Sequence, residues 1–128
     1  MARRVALVSL LVADYDEAIG FYVGKLGFTL VENTDMGHGK RWVVVSPGSD
    51  GTNFLLAQAT GEQTEAIGRQ GGGRVWLFLH TDDFAGDHAR MSAAGVTFLE
   101  EPRHEAYGTV AVFEDLSGNR WDLLQPKN

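Results

Sequence analysis

Leu26-Gly27-Phe28-Thr29-Leu30-Val31-Glu32 lies over Ala94-Gly95-Val96-Thr97-Phe98-Leu99-Glu100, an offset of 68 residues from Gly27 to Gly95. A second pair of stretches, Asp50-Gly51-Thr52-Asn53-Phe54 and Ser117-Gly118-Asn119-Arg120-Trp121, repeats at an offset of 67 from Gly51 to Gly118. A near-constant offset over two separate stretches argues for a duplicated module. In each copy the glycine ends an apolar helix and a strand follows it.

Outward from these stretches, both halves read in the same order. Val5 to Val12 is a strand, and Asp14-Tyr15-Asp16-Glu17 has the N-cap and third-position Glu of a capping box. Tyr15, Ala18, Ile19, Tyr22 and Leu26 then recur at helical spacing and form a stripe that must pack on a sheet. Strands are predicted over Phe28 to Glu32, Arg41 to Val45 and Phe54 to Gln58, with a flexible turn at Met36 to Lys40. The first module is therefore βαβββ. Thr60 to Gly73, ending in three glycines, breaks the pattern and has room for one short helix around Glu62 to Ile67. The second module follows with strands over Val75 to His80, Val96 to Leu99, Gly108 to Phe113 and Arg120 to Gln125. Its helix opens at Asp82-Asp83 and carries Phe84, Met91 and Ala94. The chain reads as one domain over 1–128, with modules at 1–62 and 74–128 and a linker at 63–73.

Composition narrows the class. At 128 residues, 44% hydrophobic and 22% charged, the chain can build a real core. Its net charge of -6 disfavours a nucleic-acid or acidic-lipid partner and mildly favours a cationic one. Without cysteine there is no disulfide framework, thiolate nucleophile or thiolate metal site. The apolar run after Arg3-Arg4 passes into Asp14-Tyr15-Asp16-Glu17 without a small-residue cleavage site, and no run approaches membrane-spanning length. The expectation is a cytoplasmic protein with no membrane partner. No His-Glu-x-x-His, Gly-x-Ser-x-Gly or phosphate-loop motif is present, and Gly71-Gly72-Gly73 runs into a strand instead of a helix.

In the last strand, Trp121 and Leu123 point one way, and Arg120, Asp122 and Leu124 the other. With Ser117-Gly118-Asn119 as the turn, this is a hairpin with one dry face and a carboxylate on the opposite one. Trp76, Phe78 and His80 share parity on their own strand and are expected to line one face. His80 is read either as a displaced ligand or general base, or as a hydrogen-bonding residue at a strand end. His104 and Tyr107 fall in a loop over Glu101 to Gly108, and His38 and His88 read as surface residues. Arg41 and Arg120 either neutralise an acidic substrate group or pair with nearby carboxylates. Trp42, Trp76 and Phe78 offer an aromatic floor for a planar ligand, while Trp121 and Phe54 read as core.

Two βαβββ modules resemble the vicinal oxygen chelate superfamily of glyoxalase I, bleomycin-resistance proteins, fosfomycin-resistance enzymes and extradiol dioxygenases. The resemblance rests on Leu11-Val12-Ala13-Asp14 with Ala18 and Phe21-Tyr22, Leu26-Gly27-Phe28, Thr81-Asp82-Asp83, Ala93-Ala94-Gly95-Val96 and Phe113-Glu114-Asp115-Leu116-Ser117-Gly118-Asn119. It implies an α+β fold in which the modules form a curved, partly closed mixed sheet. It also implies a homodimer, since paired modules in this group often come from different chains. Metal-dependent members take one ligand from the first and one from the last strand of each module. These positions here are Leu7, Leu55 (or Leu56), Trp76 and Asp122. Three of the four cannot bind a metal, and a divalent cation needs several donors.

Two functional readings follow. The first is a metal-free protein resembling the bleomycin-resistance branch. It holds a small cationic or aromatic molecule in a cleft drawing on Leu7, Ser9, Arg41, Leu55, Trp76, Phe78, His80, Tyr107, Arg120 and Asp122. The second is a glyoxalase-type lyase or extradiol-type dioxygenase in which Zn, Ni, Mn or Fe is held by Asp122 with His80 or another displaced donor. The first is preferred because one carboxylate does not make a metal site.

Overall fold

Alternation along the first strand, β1 (Leu7–Val12), decides which of its faces is covered. Leu10 and Val12 are buried, while Leu7 and Ser9 on the other face are exposed. The computed structural model describes residues 2–48 and 50–128, and the chain divides into two compact units, Met1–Ile67 and Gly68–Asn128. The boundary falls within the stretch read as a linker. Each unit has its own mixed sheet and one main helix, an α+β arrangement as expected from the repeat.

In the first unit, α1 (Tyr15–Ile19) begins at Asp14, whose backbone is extended and whose carboxylate accepts the Glu17 N–H at 2.9 Å. From Gly20 to Lys25 the helix widens into a π turn, and the Leu26 N–H donates to the Phe21 carbonyl at 3.0 Å. Of the expected apolar stripe, Tyr15, Ala18, Tyr22 and Leu26 are buried and Ile19 is half-buried, while Phe21, outside the stripe, also joins the core. Both repeat glycines have left-handed backbone, with φ of 79° at Gly27 and 92° at Gly95. The Phe28 N–H returns to the Tyr22 carbonyl at 2.9 Å, and the Val96 N–H to the Met91 carbonyl at 3.0 Å. A left-handed glycine thus stops the helix in both copies, with a return bond one residue wider in the first, where the helix ends in a π turn.

Three further strands complete the first sheet: β2 (Thr29–Gly37), β3 (Lys40–Ser46) and β4 (Asn53–Gln58), in the order β1-β4-β3-β2. β1 runs parallel to β4 and the other pairs are antiparallel. Val43, Val45, Phe54 and Leu56 supply the sheet's share of the core. β2 runs well past Glu32, where the sequence pattern ended, because Asn33, Thr34 and Asp35 continue the ladder without any apolar alternation. Met36 and Gly37 therefore belong to the strand. The turn contracts to His38-Gly39, both with positive φ (55° and 80°), the twist that suits a two-residue hairpin. After β4, a 3-10 turn (Gly61–Ala66) is closed by a capping box between Thr60 and Gln63.

The second unit contains β5 (Val75–His80), α2 (Phe84–Ala93), β6 (Thr97–Phe98), β7 (Arg103–Glu105), β8 (Gly108–Glu114) and β9 (Arg120–Pro126). The strand order is β5-β9-β8-β6, with β7 also on β8. The strand expected over Val96 to Leu99 is only two residues long. The loop expected over Glu101 to Gly108 contains β7, which forms a hairpin with β8 across Ala106 and Tyr107. Between β6 and β7, a Glu100 carboxylate oxygen accepts the Val112 N–H at 3.0 Å. A side chain there serves a donor that the interrupted backbone ladder leaves over.

The turn from β8 to β9 is organised by Asp115, which is buried. Its Oδ1 accepts the backbone N–H groups of Ser117, Gly118 and Asn119 at 3.0, 3.1 and 3.0 Å. Its Oδ2 accepts from Asn119 Nδ2 at 3.0 Å and from the Trp121 indole N–H at 3.3 Å. Asn119 Oδ1 in turn accepts the Gln70 N–H at 3.1 Å. The approach is close: at Gly68, with φ of 76°, a Cβ would collide with the Ser117 carbonyl oxygen. Replacing Asp115 by Ala strands several buried donors and should cost on the order of 3 kcal/mol of stability in urea denaturation. Asp115→Asn, which keeps two acceptor lone pairs, should recover part of the loss.

Candidate ligand-binding site

The residues singled out around Asp122 lie on the face of the second sheet opposite Trp121 and Leu123. Those two side chains are completely or almost completely buried, as expected for core, and Phe54 is buried in the first unit. On β9, Asp122 stands between Phe78 of β5 and Val112 of β8, and Leu124 between His80 and Val110. Arg120 is exposed and shares the parity of Asp122, with Glu114 as its partner across β8. Phe78 is 62% exposed. Around Asp122 this face presents the Phe78 ring and the aliphatic Val112 and Leu124, with Arg120 and Glu114 toward one end and His80 toward the other.

The register alters one expectation. Between Val75 and Leu77 the β5–β9 pairing skips a residue, so Trp76 sits in an irregularity of the ladder. Parity counted along the strand does not carry across it. Phe78 and His80 keep the face of Asp122, while Trp76 is half-buried and its Cβ region packs beside Gly71.

Asp122 is only 8% exposed, and its Oδ1 is buried without a hydrogen-bond partner among the described residues. Burial pushes its carboxyl above the ordinary carboxylate range. The Arg103 guanidinium pulls it back, and the charge of Glu100 pushes it up again. Arg103 is held by Glu100, with Nε 3.0 Å from Oε1, and lies 3.8 Å from a Glu105 oxygen. Glu100 above all, with Tyr107 nearby, favours its charged form. Sequence reasoning missed Glu100 and Arg103 because it placed Arg103 in an open loop, whereas β7 puts it opposite Val110 on the face that carries Asp122.

Other candidates fall elsewhere. Leu7 and Ser9 lie on the β1 face turned away from the core, and Leu7 and Ser9 pair with Asn53 and Leu55 of β4. Arg41 points to the helix side instead: its guanidinium bonds Asp16 at 3.0 Å and Asn33 at 3.1 and 3.2 Å, and lies 5.1 Å from the centroid of the Tyr15 ring. Tyr107 occupies the β7–β8 turn and is exposed. Nor is His88 a plain surface residue. Its ring packs between Phe84 at 5.5 Å and Phe98 at 4.2 Å. His104 faces Thr109, with Nδ1 3.3 Å from Oγ1. Among the described residues, no three His, Cys, Asp or Glu side chains come together as a metal site would require. No helix is long and apolar enough to cross a membrane.

The first unit holds a cavity of about 380 Å³ where β3 and β4 part. Their ladder has two pairs, Val44 with Leu55 and Val45 with Phe54. Beyond it, Trp42 and Lys40 stand across the gap from Leu56, Ala57 and Gln58.

The family model described as Glyoxalase/Bleomycin resistance protein/Dioxygenase superfamily matches residues 4–123. An uncharacterised protein of Shewanella frigidimarina (strain NCIMB 400) is 56% identical over 128 residues, covering 98% of this chain and 95% of that one. Among solved structures, UcmS2 is 32% identical with a TM-score of 0.82, covering 97% of this chain and 98% of its own. TnmS3, described as an antibiotic binding protein from Streptomyces sp. CB03234, is 32% identical with a TM-score of 0.80 and covers 98% of each chain.

A buried carboxylate without a partner has a measurable cost. The folded state favours the protonated form of Asp122 more than the unfolded state does, so its stabilising contribution is present at low pH and is lost as pH rises through the raised folded value. Asp122→Asn, which cannot ionise, should therefore be more stable than wild type at pH 7, by on the order of 1 kcal/mol. The difference should shrink below about pH 4, the ordinary carboxylate range. Paired thermal melts across this window measure it, and a constant difference would show that ionisation is not its source.

Proposed function

The chain belongs to the Glyoxalase/Bleomycin resistance protein/Dioxygenase superfamily, and from that premise we propose that it is a metal-free binding protein that sequesters a small molecule without turning it over. One observation carries the reading: the Asp122 carboxylate is almost fully buried beside Phe78 and Val112, and its Oδ1 has no hydrogen-bond partner among the described residues. A carboxylate so placed prefers either a proton or a cation brought to it, and an organic cation with an aromatic body satisfies both the charge and the exposed Phe78 ring. The donor chemistry supports the absence of a metal. The family's other ligand positions carry Leu7, Leu55 and Trp76, and no displaced set of three donors gathers among the described residues.

The description of TnmS3 as an antibiotic binding protein supports a ligand-holding role for a chain of this kind. A homodimer in the cytoplasm fits the reading, since a sequestering protein gains capacity from two copies of its site without needing a cofactor.

Two measurements test the proposal. Elemental analysis of the purified protein after exposure to Zn, Ni, Mn and Fe(II) should find well below one equivalent of bound metal. Near-stoichiometric metal that disappears in Asp122→Ala would replace the proposal with a lyase or dioxygenase reading. Calorimetric titration with cationic aromatic compounds, bleomycin among them, should give saturable binding that weakens about tenfold or more in Asp122→Ala, a loss of at least ~1.4 kcal/mol. A variant that loses thermal stability but binds as wild type would remove Asp122 from the site.

A further inference from the structure

The cavity at the fork of β3 and β4 has a chemistry opposite to that of Asp122. We propose that it is a second ligand site, lying wholly within the first unit, and that it takes a small aromatic carboxylate. Its volume of about 380 Å³ falls in the range of small-molecule pockets, large enough for a two-ring aromatic. Leu55, Leu56 and Ala57 provide an apolar wall, and Trp42 provides a broad ring. Not one of the lining residues is an Asp or Glu, in a protein whose net charge is -6.

Two of the polar groups that line the cavity, Tyr15 and Gln63, have an acceptor already engaged, while Gln58 donates its amide NH₂ to the Ala13 carbonyl at 3.2 Å. The Tyr15 hydroxyl oxygen accepts the Arg41 N–H at 3.2 Å, which leaves its proton to be donated. The Gln63 carbonyl oxygen accepts the Thr60 N–H at 3.0 Å, which leaves its amide NH₂. The Trp42 indole N–H and the Lys40 ammonium are donors by nature. Arg41 is neutralised by Asp16, whereas Lys40 has no ion pair among the described residues. Four donors, one of them cationic, around an apolar wall favour a ligand that brings acceptor oxygens and negative charge on a flat body. A cationic aromatic, the ligand class fitted to Asp122, meets Lys40 and no carboxylate.

The test uses the full chain and 2-naphthoate as probe, followed by amide NMR titration so that the binding position is read directly. The expected result is saturable binding with shifts centred on Lys40–Trp42 and Leu55–Gln58. Lys40→Gln and Tyr15→Phe should each raise the Kd about threefold to tenfold, and Leu55→Trp, which fills the cavity, should abolish binding. The amine counterpart, 2-naphthylmethylammonium, should shift the same amides only at concentrations at least about tenfold higher. Equal response to the amine at these amides, or no saturable naphthoate binding at millimolar concentration, would overturn the proposal. Naphthoate shifts centred on β9 instead would also overturn it, while leaving the reading of Asp122 as a ligand group standing. Should Leu55→Trp fail to fold, the two polar variants still decide the matter.

Discussion

One carboxylate holds the last hairpin in its shape. Asp115 accepts five N–H donors, three from the backbone of its own turn and two from the side chains of Asn119 and Trp121. By fixing the indole of Trp121 it fixes the side of β9 that faces the core, because a one-residue slip would exchange every side chain between faces. The position of Asp122 follows from that choice. Trp121 turned inward makes its neighbour turn outward, onto the face shared with Phe78 and Val112.

Much of this was legible in the chain. The repeat glycines marked a helix stop in each half, and the Ser117-Gly118-Asn119 turn with Trp121 and Leu123 marked the hairpin and its dry face. The illegible parts have physical causes. β2 continues through Asn33, Thr34 and Asp35, where both faces are exposed and no alternation is selected. β7 was missed because Ala106 and Tyr107 carry no turn signal and Pro102 precedes the strand. For Trp76, counting along the strand gives no face, because an irregularity in strand pairing that no local sequence signal announces falls at that residue. Arg41 offered no clue to its side until Asp16 and Asn33 were found around it.

The site around Asp122 shows the same division between what a residue type suggests and what its neighbours decide. A carboxylate at the end of a repeat suggests metal chemistry by resemblance. Burial, the opposed charges of Arg103 and Glu100 and an unpartnered oxygen describe instead a group whose protonation is finely set by its surroundings. Arg103 acts on it across β8 and is itself held by Glu100, so the second sheet carries a relay of alternating charge from its outer edge toward its centre.

The interruption of that outer edge has a consequence for self-association. An edge strand exposes unpaired backbone donors and acceptors that can template a foreign strand. In the second sheet the outer strand is split into two short pieces, and Glu100 occupies a Val112 donor at the break with a negative charge. In the first sheet, β2 runs nine residues at the edge, with Leu30, Val31 and Met36 exposed. Its protection rests on Glu32 and Asp35 and on the irregularities that twist its ladder. Neutral side chains in place of those two carboxylates would therefore weaken the guard on the first sheet's edge and leave β2 the segment open to pairing with a foreign strand.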